Sequence, residues 1–210
     1  WCSGTMLRPA VVPMKVPGLL LVPPQHPRRA EVEQFIANRY REVYGADVRQ
    51  FMPLLFALLT ADQQICAAAG LRRGSDGPLF IEQYLDAPAE TVLAQTFGSP
   101  VQRRQLAEIG HLSGLGQGNG RRLFPLLAQW LEGEGIHWAL FAATAPLRQM
   151  FHRMQVRPQP LAPARPERLG EAARQWGGYR LCPLPGSRHL SGGGPDLLGA
   201  VSRQYSGVHA

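Results

Sequence analysis

A chain of 210 residues has room for one domain of ordinary size, which would bury roughly 70% of the surface exposed by its unfolded form. With 45% hydrophobic and 18% charged residues it is neither a disordered polyelectrolyte nor a membrane bundle, and no apolar run approaches the ~20 residues of a spanning helix. The net charge is +7 and Lys15 is the only lysine, so the surface is arginine-rich; its sign suits phosphate-bearing cofactors, anionic lipid, nucleic acid or an acidic protein without choosing among them.

Cys2, Cys66 and Cys182 stand far apart, which makes neither a disulfide framework nor a metal ligand set. No metal is expected, and a reducing, cytoplasmic setting is. Pro13, Pro17, Pro23 and Pro24 interrupt the short Gly18–Val22 apolar run, and no signal peptide is read there. The composition divides the chain into a Pro-rich N-terminal extension (1–28), a folded domain (29–181) and a Gly/Pro-rich tail (182–210).

In chain order, Val32, Phe35, Ile36, Tyr40, Val43 and Tyr44 recur at helical spacing, with Gly45 placed to stop the helix. Phe51 to Thr60, Ile65 to Leu71 and Leu79 to Leu85 read as three strands of an antiparallel meander. Asp86 is placed to cap a short helix through Val92, Leu93 and Phe97. Val101 to Leu112 then reads as a strand, 114–120 as a glycine loop, and Leu123, Leu126, Leu127, Trp130 and Leu131 as the buried stripe of a helix. Pro125 sets the start of that helix's regular part just before it. His137 to Thr144 is a further strand, and Leu147, Met150, Phe151 and Met154 mark a last helix. The fold class is α/β (α+β), a mixed and mostly antiparallel sheet flanked by helices.

Between that strand and helix, Gly114-Leu-Gly-Gln-Gly-Asn-Gly-Arg-Arg122 presents backbone N–H groups and a helix dipole to an anion, with Arg121 and Arg122 adding charge. No Lys-Ser/Thr follows it, as a P-loop requires, and it does not open a βαβ unit, as a dinucleotide fingerprint does. The arrangement resembles the GNAT acyltransferases, whose loop before the central helix holds the diphosphate of acyl-CoA or the phosphopantetheine of a carrier protein. Leu115 stands where that family's pattern has a polar residue. On this resemblance Leu112, Gly114, Gly116, Gly118, Asn119, Gly120, Arg121 and Arg122 form the donor cradle.

Leu79-Phe-Ile-Glu-Gln-Tyr-Leu-Asp86, Glu108-Ile-Gly-His111, Phe141-Ala-Ala-Thr144 and Trp176-Gly-Gly-Tyr179 resemble the bacterial thermostable hemolysin family. That family is more distantly similar to the acyl-homoserine-lactone synthases, which share the GNAT-like fold. Their Glu-x-Ser-Arg motif corresponds to Glu108-Ile-Gly-His111, with Ser and Arg replaced, so homoserine-lactone recognition does not follow.

The resemblance implies an acyltransferase that moves an acyl group, a fatty one, to an amine-bearing small molecule. The donor is acyl-CoA or the acyl-phosphopantetheine of an acyl carrier protein, with no permanently bound cofactor. Amide formation needs a base and donors for the oxyanion, and Glu108, on the strand adjoining the loop, is the candidate base. A backbone N–H between Leu112 and Gly114 is the candidate oxyanion donor. Glu82 and Tyr84 share a strand face with Asp86, which opens on a cleft or on solvent. His111, three residues from Glu108, falls on the opposite face of a regular strand, which weakens a Glu/His dyad, and it reads better as a core or capping histidine than as a catalytic partner. Arg39, Arg72, Tyr84, Trp138, Phe141 and Thr144 are the candidate substrate contacts. Phe151 and His152 stand where many GNAT enzymes carry a general-acid tyrosine.

The Arg pairs lack the aromatic interleaving of nucleic-acid binders, and a basic rim would steer an acidic carrier protein. Neither an insertion element nor an export signal is legible, so no stable membrane insertion is expected. Direct haemolytic action and non-catalytic binding of acyl groups or carrier protein stand as the alternatives.

Overall fold

The computed structural model describes residues 18–116, 118–165, 168 and 197–202, the last stretch and 145–146 through the backbone alone. The elements are β1 (Leu19–Val22), α1 (Arg29–Tyr44), β2 (Leu54–Leu59), β3 (Ile65–Arg73), α2 (Ala89–Phe97), β4 (Leu106–Gly114), α3 (Asn119–Gly133), β5 (Trp138–Ala143), α4 (Ala145–Arg153), β6 (Gln159–Pro163) and β7 (Leu197–Ser202). Among the described residues seven strands form one sheet in the order β1-β2-β3-β4-β5-β7-β6. Each pairing is antiparallel except that between β4 and β5.

Two apolar layers clasp the sheet. On one face Val32, Ile36 and Tyr40 of α1 pack on Leu55, Ala57 and Ala68. On the other, Leu123, Leu127 and Trp130 of α3 pack on Phe56, Ala67, Ala69, Ala107 and Ile109. The small residues of β3 let both helices approach, and the Phe56 ring meets Trp130 edge-on at 4.8 Å.

The structure corrects the sequence reading at several points. Residues 79–85 do not form a strand: Phe80–Tyr84 is a 3-10 turn, and the meander's next strand is β4. Both edges of β3 are taken, by β2 and β4, so the segment has no free edge to join, and two carboxylates instead bind its amides. Glu82, Tyr84 and Asp86 therefore share no strand face. Residue 88, not Asp86, occupies the cap position of α2, and Asp86 pairs with Arg168.

The fourth strand begins at Leu106, after a 3-10 turn at Arg103–Gln105, and runs on to Gly114. The helix after the loop starts at Asn119 with Pro125 inside it. Pro125 lies on the exposed side, where water can satisfy the Arg121 carbonyl that loses its partner. Finally, the sheet takes in β1 from the stretch read as an extension and β7 from the stretch read as a tail. A four-residue apolar run between prolines carries too little periodicity to reveal a strand.

Candidate active site at the opening between the parallel strands

The parallel pair is short. Leu106, Ala107 and Glu108 register with Trp138, Ala139 and Leu140, and the pairing ends there. Beyond it β4 follows β3 and β5 follows β7, so the sheet opens between Ile109 and Phe141. A β-bulge widens the opening: Gly70 pairs with Gly110 and Ala68 with Ser113, which leaves His111 and Leu112 opposite Ala69 alone. His111 takes φ 52°, left-handed backbone that is uncommon for a side-chain-bearing residue. The Ser113 hydroxyl donates to the His111 carbonyl at 2.9 Å and ties the bulge.

The bulge overturns the parity expected of His111. A Cβ on Gly70 would lie 2.8 Å from His111 Cδ2 and 3.0 Å from Met52 Cβ, and one on Gly110 would lie 2.7 Å from Met52 Cε. The imidazole and Met52 thus cover these facing glycines on the α1 side, the side to which Glu108 also points. Tyr40 and Phe51 stand against the imidazole with ring centroids 6.1 and 5.7 Å away. Burial, and secondarily the Arg29 charge, pushes the His111 pKa down to about 4, so the ring is neutral at physiological pH. Arg29 is anchored by the carbonyls of Val22, Met52 and Pro53 and by Glu33.

A cavity of about 50 Å³ occupies the opening, and His111, Leu112, Phe141 and Tyr40 line it. Phe124, Leu147 and Phe151 line its other side, with Phe151 4.9 Å from each of Phe124 and Phe141. The cavity therefore passes through the plane of the sheet, from the α1 layer to the α3 and α4 layer.

Glu108 sits just behind the opening. Its buried carboxylate accepts the Phe80 amide at 2.7 Å, at the start of the 3-10 turn. Burial pushes its pKa up to about 7, against the opposing pull of the Phe80 amide, the Arg72 charge and the Ile81 amide. Glu82 is occupied elsewhere, accepting the amides of Leu79 and Ala89 and pairing with Arg103. Burial would raise its pKa, but Arg103 and those two amides hold it at about 2. It is a structural anion whose oxygens are taken by Leu79, Ala89 and Arg103.

The glycine loop joins β4 to α3. Gly118 holds φ 109°, a conformation that side chains resist, and Asn119 Nδ2 donates to the Leu115 carbonyl at 2.6 Å. Gly114 and Gly120 approach so closely that a Cβ on Gly114 would lie 3.3 Å from the Gly120 nitrogen. The first turn of α3 contains no acidic residue, Arg121 and Arg122 are exposed there, and Gly116 sits at the loop's exposed tip.

The remaining candidates scatter. Trp138 packs on Phe97 at 4.5 Å at the closed end of the parallel pair, and Thr144 is the cap residue of α4. Arg39 pairs with Glu42, Arg72 donates to the Pro78 carbonyl at 3.3 Å, and Tyr84 stands against Phe80 and accepts Arg168 through its carbonyl. The sequence reading placed Tyr40 in the apolar stripe of the first helix and Phe151 in that of the last, where it also stands in place of a general-acid tyrosine, and passed over Phe124 and Met52. His111, with Tyr40 and Phe51 beside it, is a contact that only the tertiary fold makes.

A mixed sheet that opens between its parallel strands, bulged at the opening and followed by a glycine loop and a helix, defines the GNAT-type acyltransferase fold. The chain belongs to the thermostable hemolysin family, whose sequence model matches residues 22–182. No curated protein matches it. Among solved structures it is similar to FeeM, an N-acyl amino acid synthase from uncultured soil microbes, at 11% identity over 88% of this chain and 91% of that one, with a TM-score of 0.52. The acyl-homoserine-lactone synthase LasI compares at 11% identity, 87% of both chains and a TM-score of 0.49. MesI, a CoA-dependent acyl-homoserine lactone synthase, gives 13% identity, 87% and 86% coverage and a TM-score of 0.46. At such identities the likeness is one of fold.

Proposed function

We propose that the protein is an N-acyltransferase that moves an acyl group from the thioester of CoA or acyl carrier protein to an amine-bearing small molecule. The observation that carries this reading is the opening beyond Glu108 and Leu140, where a neutral buried imidazole meets a cavity running through the sheet. The donor's phosphates would lie against 114–122, where the first amides of α3 have no partner within the helix and Arg121 and Arg122 supply charge. The same two arginines would favour an acidic carrier protein.

With the thioester in the opening, the amine attacks its carbonyl carbon and His111 takes the amine's proton, directly or through one water. The C–N bond forms, the C–S bond breaks as the tetrahedral intermediate collapses, and the imidazolium returns the proton to the departing thiolate. Glu108 acts here as a positioning residue, holding the 3-10 turn beside the opening. Its raised pKa makes it the alternative base, although the Phe80 amide already occupies one of its oxygens. The FeeM likeness suggests an amino acid as acceptor. Among the described residues no helix is long and apolar enough to cross a membrane. An N-acylated amphiphile made by the enzyme would account for lysis of cells without insertion of the protein.

The test is amine-dependent release of free thiol from a series of acyl-CoA and acyl-carrier-protein donors. Acyl transfer predicts release that requires both donor and amine.

A further inference from the structure

A second and larger cavity, of about 720 Å³, lies between α4 and the strands β5 and β6. Its apolar lining comes from Ala143, Phe151, Val156, Pro158 and Pro160. Around it stand Arg148, His152 and Arg157 with the amide of Gln155, and no acidic side chain lines it among the described residues. Arg148 is held at the rim by its bond to the Ala143 carbonyl at 3.2 Å, whereas His152 and Arg157 are exposed. The sequence reading gave this region no role beyond a possible general acid.

We propose that this cavity is a binding site for an amphiphilic carboxylate of the size of a fatty acid or an N-acyl amino acid. The volume falls within the range of small-molecule pockets, roughly 300–1,000 Å³, which a lone amino acid would leave largely empty. The wall chemistry selects a molecule with an apolar body and one anionic end: aliphatic and aromatic carbon along the lining, three basic side chains at the rim and, among the described residues, no competing carboxylate. A nucleotide phosphate shares the anion but not the apolar body, and the α3 terminus already answers that need. Phe151 lines both this cavity and the one at His111, so its buried ring is a wall common to the proposed reaction centre and this site. The site does not depend on turnover, since a free fatty acid meets the same requirements.

The experiment is calorimetric titration of the full chain with decanoate, decanamide, N-decanoyl-phenylalanine and the methyl ester of that last compound. The expected result is binding of at least one acid, with its neutral counterpart weaker by about tenfold or more. In H152A/R157A, both changes being on exposed side chains, the advantage of the acids over the neutral compounds should shrink toward what Arg148 alone supports, with thermal stability unchanged. Preference for decanoate would identify a fatty-acid site, and preference for the acyl amino acid a product site. Equal binding of acids and neutral analogues, no binding of any probe, or a double variant that keeps the discrimination undiminished would each overturn the proposal. Because none of these readouts involves acyl transfer, thiol release without carboxylate binding would sink this site and leave the proposed activity standing.

Discussion

The carboxylate of Glu108 accepts the Phe80 amide at 2.7 Å, joining the last residue of the parallel pair to a 3-10 turn 28 positions earlier in the chain. Since burial raises its pKa from 4.5 to about 7, the folded state binds this proton more tightly than the unfolded chain. Stability attributable to the group is greatest below pH 4.5 and declines as pH rises toward 7, by on the order of 3 kcal/mol. E108Q keeps an acceptor for Phe80 and cannot ionise. Urea unfolding at pH 5 and pH 8 should show the variant gaining on the wild type at the higher pH. A difference independent of pH would contradict the raised pKa.

Glu82 behaves in the opposite sense. Its pKa, lowered to about 2, contributes stability that is present above 4.5 and lost as pH falls through 2. Arg103 also binds Glu90 and the carbonyls of Gly74 and Gly77, so R103M should cost about 2 kcal/mol at pH 7, between an exposed and a fully buried pair. The variant should lose less than the wild type on acidification from pH 4.5 to 3, as measured by urea unfolding at each pH.

Met52 lies across two glycines that face each other on β3 and β4, and the two should differ in tolerance. A Cβ on Gly70 meets the His111 ring and the Cβ of Met52, neither of which can swing aside, so G70A is expected to cost about 2 kcal/mol. The corresponding atom on Gly110 meets only the Sδ and Cε tip of Met52, a flexible chain, and G110A should cost less than about 1 kcal/mol. Equal losses in chemical denaturation would contradict this packing.

The donor cradle proposed at 114–122 makes its own prediction. A leucine at Gly120 crowds Met150 Sδ, 3.2 Å from the added Cβ, and covers the first amides of α3, while any side chain at Gly118 meets φ 109°. G120L should weaken binding of decanoyl-CoA or decanoyl carrier protein by about tenfold or more while the far-ultraviolet dichroism is retained. Unchanged donor affinity would remove the loop from the donor site.

The glycine loop and the helix after it were legible in the sequence because they are local: the glycines of 114–120, the two arginines and the amphipathic stripe of α3 are contiguous in the chain. So were α1 and its Gly45 stop, since both follow the helical period. What escaped were features set by distant partners. Residues 79–85 carry a strand-like composition, yet Glu82 and Glu108 bind their amides and the neighbouring strand edges are taken. His111 follows Glu108 at a spacing that assigns it to the opposite face, and only the bulge opposite Ala69 returns it to the α1 side. Met52 and Tyr40 reach that side from other elements, which no spacing within 106–114 encodes.

The most direct test of the central claim is free-thiol release from acyl-CoA and acyl-carrier-protein donors, with and without a pool of amines and amino acids, for the wild type and for H111N. Asparagine tolerates the left-handed backbone at this position and removes the imidazole. The account predicts amine-dependent release by the wild type and a fall of roughly 100-fold or more in H111N, with donor affinity within about threefold. Turnover in H111N equal to the wild type would contradict His111 as the base, and the absence of amine-dependent release from every donor would contradict acyl transfer itself.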